Sequence, residues 1–232
     1  MKIAFSWDDG ALEDNKLFCL HEKYEIPGMF FVPTKNREGR AVLSAEMIKN
    51  AESEFVHFGG HTENHVYLTE LSLNDVRQEV ANNKVFLEDV LGHEITDFCL
   101  PGGRYTKKIL AVVSDYYSTI RTADTMNFTY NGGPLKPAIH FYPRGIKSLI
   151  GNSVRHQSFG ELVYILRHVN MEYFEMLKGM INYERNYNDH VVMIWGHSWE
   201  IEKYDLWDEL EDLMKYAKAI GCSFYSELFA GK

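Results

Sequence analysis

The chain has 232 residues, 45% of them hydrophobic and 25% charged, which is ordinary for a soluble globular protein with ample length for a core. Its formal net charge of -9 disfavours nucleic acid and anionic membranes as partners and mildly disfavours polyanionic substrates. No segment approaches the roughly 20 consecutive apolar residues that cross a bilayer, so we expect no membrane span.

Short apolar runs and longer amphipathic stretches alternate along the chain. The predicted strands are 2–7, 28–33, 54–59, 97–101, 117–122, 138–143, 190–195 and 222–226. The predicted helices are 11–23, 44–52, the stretch 71–92, 106–115, 159–180 and 201–219. This alternation is typical of βα units around a parallel sheet, and seven or eight units favour a closed or nearly closed barrel. An open doubly wound sheet is the alternative.

The helix between the third and fourth strands has the clearest signature. Ser72 is a candidate N-cap with Asp75 three residues later, and Gly92 closes the stretch. The apolar positions that recur there at helical spacing are Val76, Val80, Val85 with Phe86, and Leu87. The apolar face of the last predicted helix is Leu206, Leu210, Leu213 and Ala217.

Residues 123–160 form the irregular part of the sequence. They contain "NGGP", "KP" and "YPRG", one strand pattern and little helical pattern. We expect a long loop over one mouth of the barrel, where such loops often shape a binding site. No repeat or Pro/Ser-rich linker divides the chain, so residues 1–232 are expected to form one domain.

The N-terminal sequence and the cysteines bear on the compartment. "MKIAFSWDDG" lacks the apolar core and cleavage site of a signal peptide, which favours a cytoplasmic protein, or an extracellular one if the sequence has been shortened. Cys19, Cys99 and Cys222 lie far apart among apolar residues and include no Cys-x-x-Cys pair. We therefore expect buried, reduced thiols and no thiolate zinc site.

Polar segments that contain glycine follow four of the predicted strands. They are Asp8-Asp9-Gly10 after the first strand, "GGHTENH" after the third, "PGGRY" after the fourth and "GHSWE" after the strand 190–195. In a parallel barrel the carboxyl ends of the strands form one rim, where barrel active sites are built. We therefore expect these side chains to meet in space.

Two pairs of side chains on this rim suggest a metal site. His61 and His65, four residues apart, can direct two imidazoles to one ion, although this spacing also occurs by chance. If one of Asp8 and Asp9 binds the ion, open coordination positions remain, and the other aspartate can act as general base. The alternative is a solvated turn. His197 could donate a proton to a leaving group or be a structural histidine.

Four segments match motifs of a known family. "FSWDDG", "GGHTENH", "FCLPGG" and "IWGHSWE" resemble, in order and spacing, those of the polysaccharide deacetylase family, also called the NodB-homology or carbohydrate esterase 4 family. "CSFYSELF" is similar to that family's last strand and turn. The resemblance implies a distorted (β/α)7 barrel. It also implies a metal-dependent amidohydrolase in which a metal-bound water removes the acetyl group of an N-acetylated amino sugar or saccharide.

The resemblance also implies the roles of individual residues. Asp8 matches the catalytic base, His197 matches the catalytic acid, and the backbone N–H of Gly102 matches the oxyanion donor. The positions that match the family's metal ligands are Asp9, His61 and His65. The metal is expected to be Zn²⁺, with Co²⁺ or Ni²⁺ as alternatives.

This sequence departs from the family pattern at two motifs. Many members have Arg-x-Pro-Tyr-Gly in the third motif, where this chain has Cys99 at the arginine position and Gly102 at the tyrosine position. The missing arginine usually pairs with the catalytic base, so Arg104 and Arg121 are candidates to orient Asp8 instead. The Asp-Trp motif that supports the catalytic histidine is not recognisable.

Substrate contacts are predicted with less specificity. Trp7, Tyr142 and Trp199 lie near motif positions and could stack on a sugar, although aromatic residues in a barrel are more often core. Arg104 and Arg121 are further candidates for substrate contact.

Alternatives to a saccharide deacetylase remain open at this point. One is a hydrolase of a small non-sugar amide on the same fold. Another is a non-catalytic sugar-binding relative, which the missing arginine permits. A non-haem iron oxygenase also uses two histidines and a carboxylate, but the motif context disfavours it. The sequence does not define the oligomeric state.

Overall fold

The computed structural model describes residues 1–130 and 132–221. The strands are β1 (Lys2–Asp8), β2 (Gly28–Val32), β3 (Val56–Gly60), β4 (Asp97–Cys99), β5 (Thr119–Arg121), β6 (Ile139–His140) and β7 (Val191–Gly196). The α-helices are α1 (Asp14–Tyr24), α2 (Ala45–Ala51), α3 (Leu73–Leu91), α4 (Lys107–Ser114), α5 (Ile146–Arg155), α6 (Phe159–Arg167), α7 (Tyr173–Glu184), α8 (Ser198–Lys203) and α9 (Trp207–Ala219). The predicted strand 222–226, with Cys222 and "CSFYSELF", lies outside the described residues.

The described strands form one parallel sheet in the order β5-β4-β3-β2-β1-β7-β6. β1 lies inside this sheet between β2 and β7, where Trp7 is opposite Phe30 of β2 and Gly196 of β7. At the far side, Leu135 donates its backbone N–H to the carbonyl of Ile120 in β5 at 2.7 Å. The curled sheet with its outer helices is a distorted (β/α)7 barrel. The predicted barrel fold is therefore confirmed, and the doubly wound alternative is wrong.

The two faces of β1 belong to different cores. Ile3, Phe5 and Trp7 join the large cluster formed with the helices. A smaller cluster on the other face of the sheet consists of Ala4, Met29, Phe31, Cys99, Leu135 and Met193. Since side chains alternate along a strand, Asp8 lies on the same face as Ala4, towards the barrel interior, and opposite Trp7.

The clearest sequence signature gives the longest helix, α3. The Ser72 hydroxyl accepts the backbone N–H of Asp75 at 3.2 Å, and the helix ends at Gly92 in a left-handed conformation with φ 79°. Its predicted core residues Val76, Val80 and Leu87 are buried. Val85 is 56% exposed, so its assignment to the apolar face is wrong. It falls between the positions that face the sheet.

The structure corrects three helical predictions. Helix α5 lies within 123–160, which was expected to be a loop. The predicted helix 159–180 is broken into α6 and α7, because Glu172 caps α7 by accepting the backbone N–H groups of Phe174 and Glu175. The predicted helix 201–219 is α8 and α9, separated at Asp205, whose φ of 53° no α-helix can continue through.

Two further expectations concern cysteines and membranes. Cys99 is buried as predicted, but Cys19 is exposed, so the prediction for Cys19 is wrong. Within residues 1–130 and 132–221, no helix combines the length and the apolar character needed to cross a membrane.

Candidate active site

Asp8 and Asp9 diverge because the backbone turns sharply between them. β1 ends at Asp8, and Asp9 and Gly10 then take left-handed conformations with φ of 76° and 57°. Aspartate tolerates this region better than most residues. A Cβ at Gly10 would lie 2.6 Å from Cγ1 of Val32, so position 10 also requires glycine for space. The turn directs the two neighbouring carboxylates to different partners.

Asp8 pairs with Arg121, from the end of β5. An Arg121 Nη2–H donates to Asp8 Oδ1, and both side chains are buried. The guanidinium carbon of Arg121 lies 5.1 Å from the ring centre of Phe31 and 5.2 Å from that of Trp195, which hold it in place. Cys99 Sγ lies 3.5 Å from Asp8 Oδ2. Arg121, and not Arg104, is therefore the cation beside Asp8.

The position of Arg121 explains how the chain manages without the motif arginine. Cys99 of β4 and Arg121 of β5 are register partners in the parallel sheet. Arg121 therefore starts at the same level of the sheet as Cys99, and its guanidinium reaches Asp8. Compared with the family motif, the arginine is therefore on the neighbouring strand β5, at the same level of the barrel as Cys99.

Asp9, His61 and His65 form a separate cluster. Asp9 Oδ1 lies 3.0 Å from His65 Nε2 and 3.6 Å from His61 Nε2, and one ligand atom from each residue lies within 4.8 Å of the others. Burial would raise the pKa of Asp9, but hydrogen bonds from the two histidines hold it well below its usual range. One carboxylate and two imidazoles with converging atoms are a donor set that suits a zinc-like ion.

The surroundings of the two histidines fix their orientation. His61 Nδ1–H donates to the carbonyl of Cys99 at 2.8 Å, which leaves Nε2 with the lone pair that a metal requires. The His61 backbone N–H donates to Asn83 Oδ1 at 2.7 Å. His65 has a left-handed φ of 53°, and such strained conformations cluster at functional sites. These contacts hold His61 with its Nε2 towards Asp9, and the Nε2 of His65 lies near the same carboxylate.

Trp199 contacts the other oxygen of Asp9. Its indole N–H donates to Asp9 Oδ2 at 2.9 Å. Oδ1 therefore faces the histidines while Oδ2 is held by an uncharged donor from α8. This contact orients the Asp9 carboxylate, a function that the sequence did not predict for Trp199.

His197 lies on the far side of Asp9 and belongs to a chain of hydrogen bonds. Its Nδ1–H donates to Glu200 Oε2 at 2.6 Å, and its Nε2 lies 3.9 Å from Asp9 Oδ2. His140 Nε2–H donates to the same Glu200 oxygen at 3.0 Å. Arg144 Nε in turn donates to His140 Nδ1 at 3.0 Å. Glu200 therefore holds His197 with Nε2 directed into the site.

The charges of this chain follow from its contacts. Burial would lower the pKa of His197, but the hydrogen bond to Glu200 and the charge of Asp9 raise it to about 9. Burial would raise the pKa of Glu200, but hydrogen bonds from His140 and His197 lower it to about 2. Burial lowers the pKa of His140 to about 4. At neutral pH, Glu200 is ionised, His197 is protonated and His140 is neutral.

The remaining predicted site residues have different environments. Trp7 is completely buried and donates its indole N–H to His21 Nε2 at 2.8 Å, so the prediction that it contacts sugar is wrong. Tyr142 is half-buried, with its ring centre 5.8 Å from that of His140. Gly102 is exposed in a left-handed turn after β4, where a Cβ would lie 2.6 Å from the Tyr67 ring.

Comparison with protein families gives the wider context of this geometry. The family model described as "Polysaccharide deacetylase" matches residues 1–119, just over half of the chain. This chain belongs to the polysaccharide deacetylase family. No protein in the curated set matches it. The matched part of this deacetylase-family chain carries Asp8, Asp9, His61 and His65, and it ends just before Arg121.

Solved structures of this family share the whole fold at low sequence identity. The Xyl-CE4 domain of a multidomain xylanase from the hindgut metagenome of Trinervitermes trinervoides is 14% identical, with a TM-score of 0.61 over 99% of this chain and 90% of that one. A family 4 acetyl xylan esterase from Clostridium thermocellum, in complex with a cobalt ion, is 14% identical, with a TM-score of 0.60 over 98% of this chain and 90% of that one.

One similar structure is of a protein described as inactive. A CE4 family pseudoenzyme from Bacillus anthracis is 12% identical, with a TM-score of 0.60 over 98% of this chain and 64% of that one. This chain also spans only about half the length of some polysaccharide deacetylases that it matches, for example 45% of one from Bacillus cereus. Fold likeness alone therefore does not establish activity.

Sequence reasoning missed part of this deacetylase-family site. It did not identify Glu200, His140 or Arg144, because the family's own Asp-Trp motif was the expected support for the histidine. The segment "HSWE" carries the missing signal, since residues three apart on a helical turn share one face and Glu200 is three residues after His197.

Proposed function

We propose that this chain is a metal-dependent N-deacetylase that removes the acetyl group from an N-acetylated amino sugar or saccharide. One observation carries the proposal: Arg121 binds Asp8 beside the Asp9, His61 and His65 cluster, and His197 lies on the other side of Asp9. The rim of the barrel thus provides different side chains for a base (Asp8), a metal site (Asp9 with the two histidines) and an acid (His197). Membership of the family supports this assignment.

The residues suited to hold the ion are Asp9, His61 and His65. A divalent ion bound there would supply Lewis-acid polarisation of the acyl carbonyl and acidify water. Zn²⁺ is the first candidate because the donors are two imidazoles and a carboxylate. Co²⁺ is an alternative supported by the cobalt complex of the Clostridium thermocellum esterase, and Ni²⁺ is another.

Asp8 is the proposed general base. It accepts the proton of the attacking water, which requires the carboxylate to be ionised and fixed in direction. Arg121 fixes the direction of the carboxylate, since its buried guanidinium donates to one of the Asp8 oxygens. The other oxygen lies 3.5 Å from the weakly donating thiol of Cys99, which leaves it able to accept a proton.

His197 is the proposed general acid. Its Nδ1–H is engaged by Glu200, so its Nε2–H is the proton available for the departing amine. Glu200 keeps the ring protonated at neutral pH. The backbone N–H of Gly102, in the exposed turn after β4, is the proposed donor to the oxyanion, an interaction whose loss could cost about 3 kcal/mol.

The Bacillus anthracis pseudoenzyme makes a non-catalytic role the relevant second candidate. The main support for a non-catalytic role of this chain is that Cys99 stands at the motif's arginine position. Arg121 weakens that support, because it supplies the cation from β5. A small acetylated amide remains an alternative substrate on the same catalytic groups.

The test is acetate release from a panel of N-acetylated oligosaccharides and small N-acetyl amides. Activity should disappear with a chelator, return with Zn²⁺ or Co²⁺, and be lost in the double variant Asp9→Ala, His61→Ala. The control is His93→Ala, since His93 is an exposed histidine that pairs with Glu52 away from the site. Full activity of the double variant would refute the proposal, whereas one bound metal without turnover on any substrate would favour the non-catalytic role.

A further inference from the structure

Two arginines at the rim are held on aromatic rings next to the site. The guanidinium carbon of Arg40 lies 3.9 Å from the ring centre of Trp199, whose indole N–H binds Asp9. The guanidinium carbon of Arg104 lies 4.4 Å from the ring centre of Tyr67, which adjoins Gly102. Each arginine is therefore one aromatic ring away from a residue of the proposed machinery.

The strand order places these arginines on opposite sides of the metal cluster. Trp199, whose ring carries Arg40, follows β7, and Arg104 follows β4. The cluster residues follow β1 and β3, which lie between β7 and β4 in the sheet. A substrate seated on Asp9, His61 and His65 would therefore lie between Arg40 and Arg104.

Neither arginine has an acidic partner in the described ranges 1–130 and 132–221. Arg40 Nε is buried without a hydrogen-bond partner, and no ion pair joins Arg40 or Arg104 to a carboxylate. Other cations in the same loop are paired: Lys35 Nζ lies 3.5 Å from a carboxylate oxygen of Glu63, and Arg37 Nη2 lies 3.8 Å from one of Glu70. Arg40 and Arg104 therefore differ from these two neighbouring cations in having no carboxylate partner among the described residues.

The stacking itself prepares the guanidinium groups for an anion. A guanidinium held over an aromatic ring keeps N–H donors that can reach an anion beside the ring. Carboxylate, sulfate and phosphate groups accept such paired donors with charge-assisted hydrogen bonds. An uncharged sugar hydroxyl would use only part of this capacity.

We propose that the substrate carries an anionic oxygen group, a carboxylate, sulfate or phosphate, that Arg40 and Arg104 bind beside the acetylated nitrogen. This inference rests on the proposed function for the location of the substrate. It narrows the substrate class to acidic acetylated saccharides or acidic acetylated amides. The overall negative charge still disfavours long polyanions, so a single local anionic group is the feature that is recognised.

The experiment compares ligands that differ only in charge. Acetylated oligosaccharides of equal length, one neutral and the others carrying a carboxylate, a sulfate or a phosphate, are tested by calorimetry and by kcat/KM for acetate release. The wild-type protein should bind at least one charged ligand about tenfold more tightly than the neutral one, as expected for a charge-assisted pair. The preference should fall as salt rises from about 50 mM to about 500 mM.

The variants Arg40→Gln and Arg104→Gln should each lower the charged-to-neutral binding ratio several-fold, and the double variant should bring it to about one. The control Arg37→Gln removes a rim cation that Glu70 already pairs, and it should keep the wild-type ratio. Equal binding of neutral and charged ligands by the wild type, or an unchanged ratio in the double variant, would overturn the inference.

The two proposals fail in different ways. A charge preference in binding without acetate release from any ligand refutes the deacetylase function and keeps the inference. Acetate release at equal kcat/KM from neutral and charged ligands refutes the inference and keeps the function.

Discussion

At the scale of single residues, the ion pair of Asp8 and Arg121 is the most consequential contact. Both side chains are buried, so each charge depends on the other for compensation. Breaking a buried pair by removing one partner typically costs about 3–5 kcal/mol, because the remaining charge is left without a partner in a poor solvent. The same pair holds the proposed base, so stability and activity are linked at this position.

We expect Arg121→Met to lower the free energy of unfolding by about 3 kcal/mol and to reduce kcat strongly. The Asp8→Asn, Arg121→Met double variant should recover much of the stability and none of the activity, because it removes both buried charges. Urea unfolding measures the stabilities. The exposed control Arg104→Met should change stability by less than about 0.5 kcal/mol. A loss below about 1 kcal/mol in Arg121→Met would contradict the importance of the pair.

A second prediction concerns Glu200 and the pH profile. The proposed acid His197 must be protonated to act, so activity should be lost as pH rises through its pKa, which Glu200 helps to raise to about 9. Glu200→Gln removes that support, so the basic limb of kcat against pH should move to lower pH. Glu202→Gln is the matched control, because Glu202 lies on the same helix and pairs with Lys16 at the surface. An unmoved basic limb in Glu200→Gln would exclude the assigned role.

Predictions of single-residue roles from the sequence failed where the role depends on a contact with a residue distant in the chain. Arg121 could be named as a candidate, since it ends a predicted strand at the rim, but only the register of β4 and β5 separates it from Arg104. The error at Trp7 was avoidable, because alternation in β1 places Trp7 and Asp8 on opposite faces. His140, 57 residues before His197, has no sequence signal that links it to Glu200.

At the scale of elements, helix α3 positions the strand end that leads to the proposed metal ligands His61 and His65. Asn83 of α3 is completely buried, accepts the backbone N–H of His61 at 2.7 Å and donates to the carbonyl of Val32 at 3.1 Å. One side chain thus joins the ends of β2 and β3 to the helix. The start of the loop that carries His61 and His65 is fixed by this contact.

Asn83→Ala should therefore destabilise the protein by about 1–3 kcal/mol and weaken metal binding, because it leaves buried backbone groups without partners. The neighbouring Asn82→Ala is the control, since Asn82 is exposed and contacts only Glu63 at the surface. Denaturant unfolding and zinc titration measure the two effects. Equal effects of the two variants would show that the buried contact does not position the loop.

The sequence predicted the central strands well and the last helices less well. Buried parallel strands are continuous apolar runs, and all seven described strands fall within or beside predicted ones. The break between α6 and α7 depends on a capping contact at Glu172, and the break before α9 depends on the left-handed Asp205. Neither is visible in hydrophobic periodicity. Helix α5 was missed because "YPRG" just before it is typical of a loop.

At the scale of the whole molecule, metal binding should contribute to stability. The proposed ligands come from the β1 and β3 ends, so an ion that binds the folded state joins separate parts of the sheet. A free metal concentration about 100 times the Kd adds about 2.7 kcal/mol to the free energy of unfolding. For a chain of this size, that corresponds to a rise in Tm of roughly 5 to 10 °C.

Thermal unfolding with and without a chelator measures this contribution. The wild-type Tm should fall when the metal is removed, and it should rise with added Zn²⁺. The double variant Asp9→Ala, His61→Ala should show no such dependence at the same zinc concentrations. A Tm shift of equal size in that variant would place the stabilising ion elsewhere.

The pairing of β1 with β7 has a consequence for the order of assembly. During synthesis the first strand emerges nearly 190 residues before its partner, since Ile3 pairs with Val192. Until β7 has been made, the edge of β1 that faces it is unpaired, and His197 and Glu200 are also missing. Such distant pairings slow folding, because a long loop must close before they form. The candidate site is therefore completed only after β7 and the helix that follows it have been made.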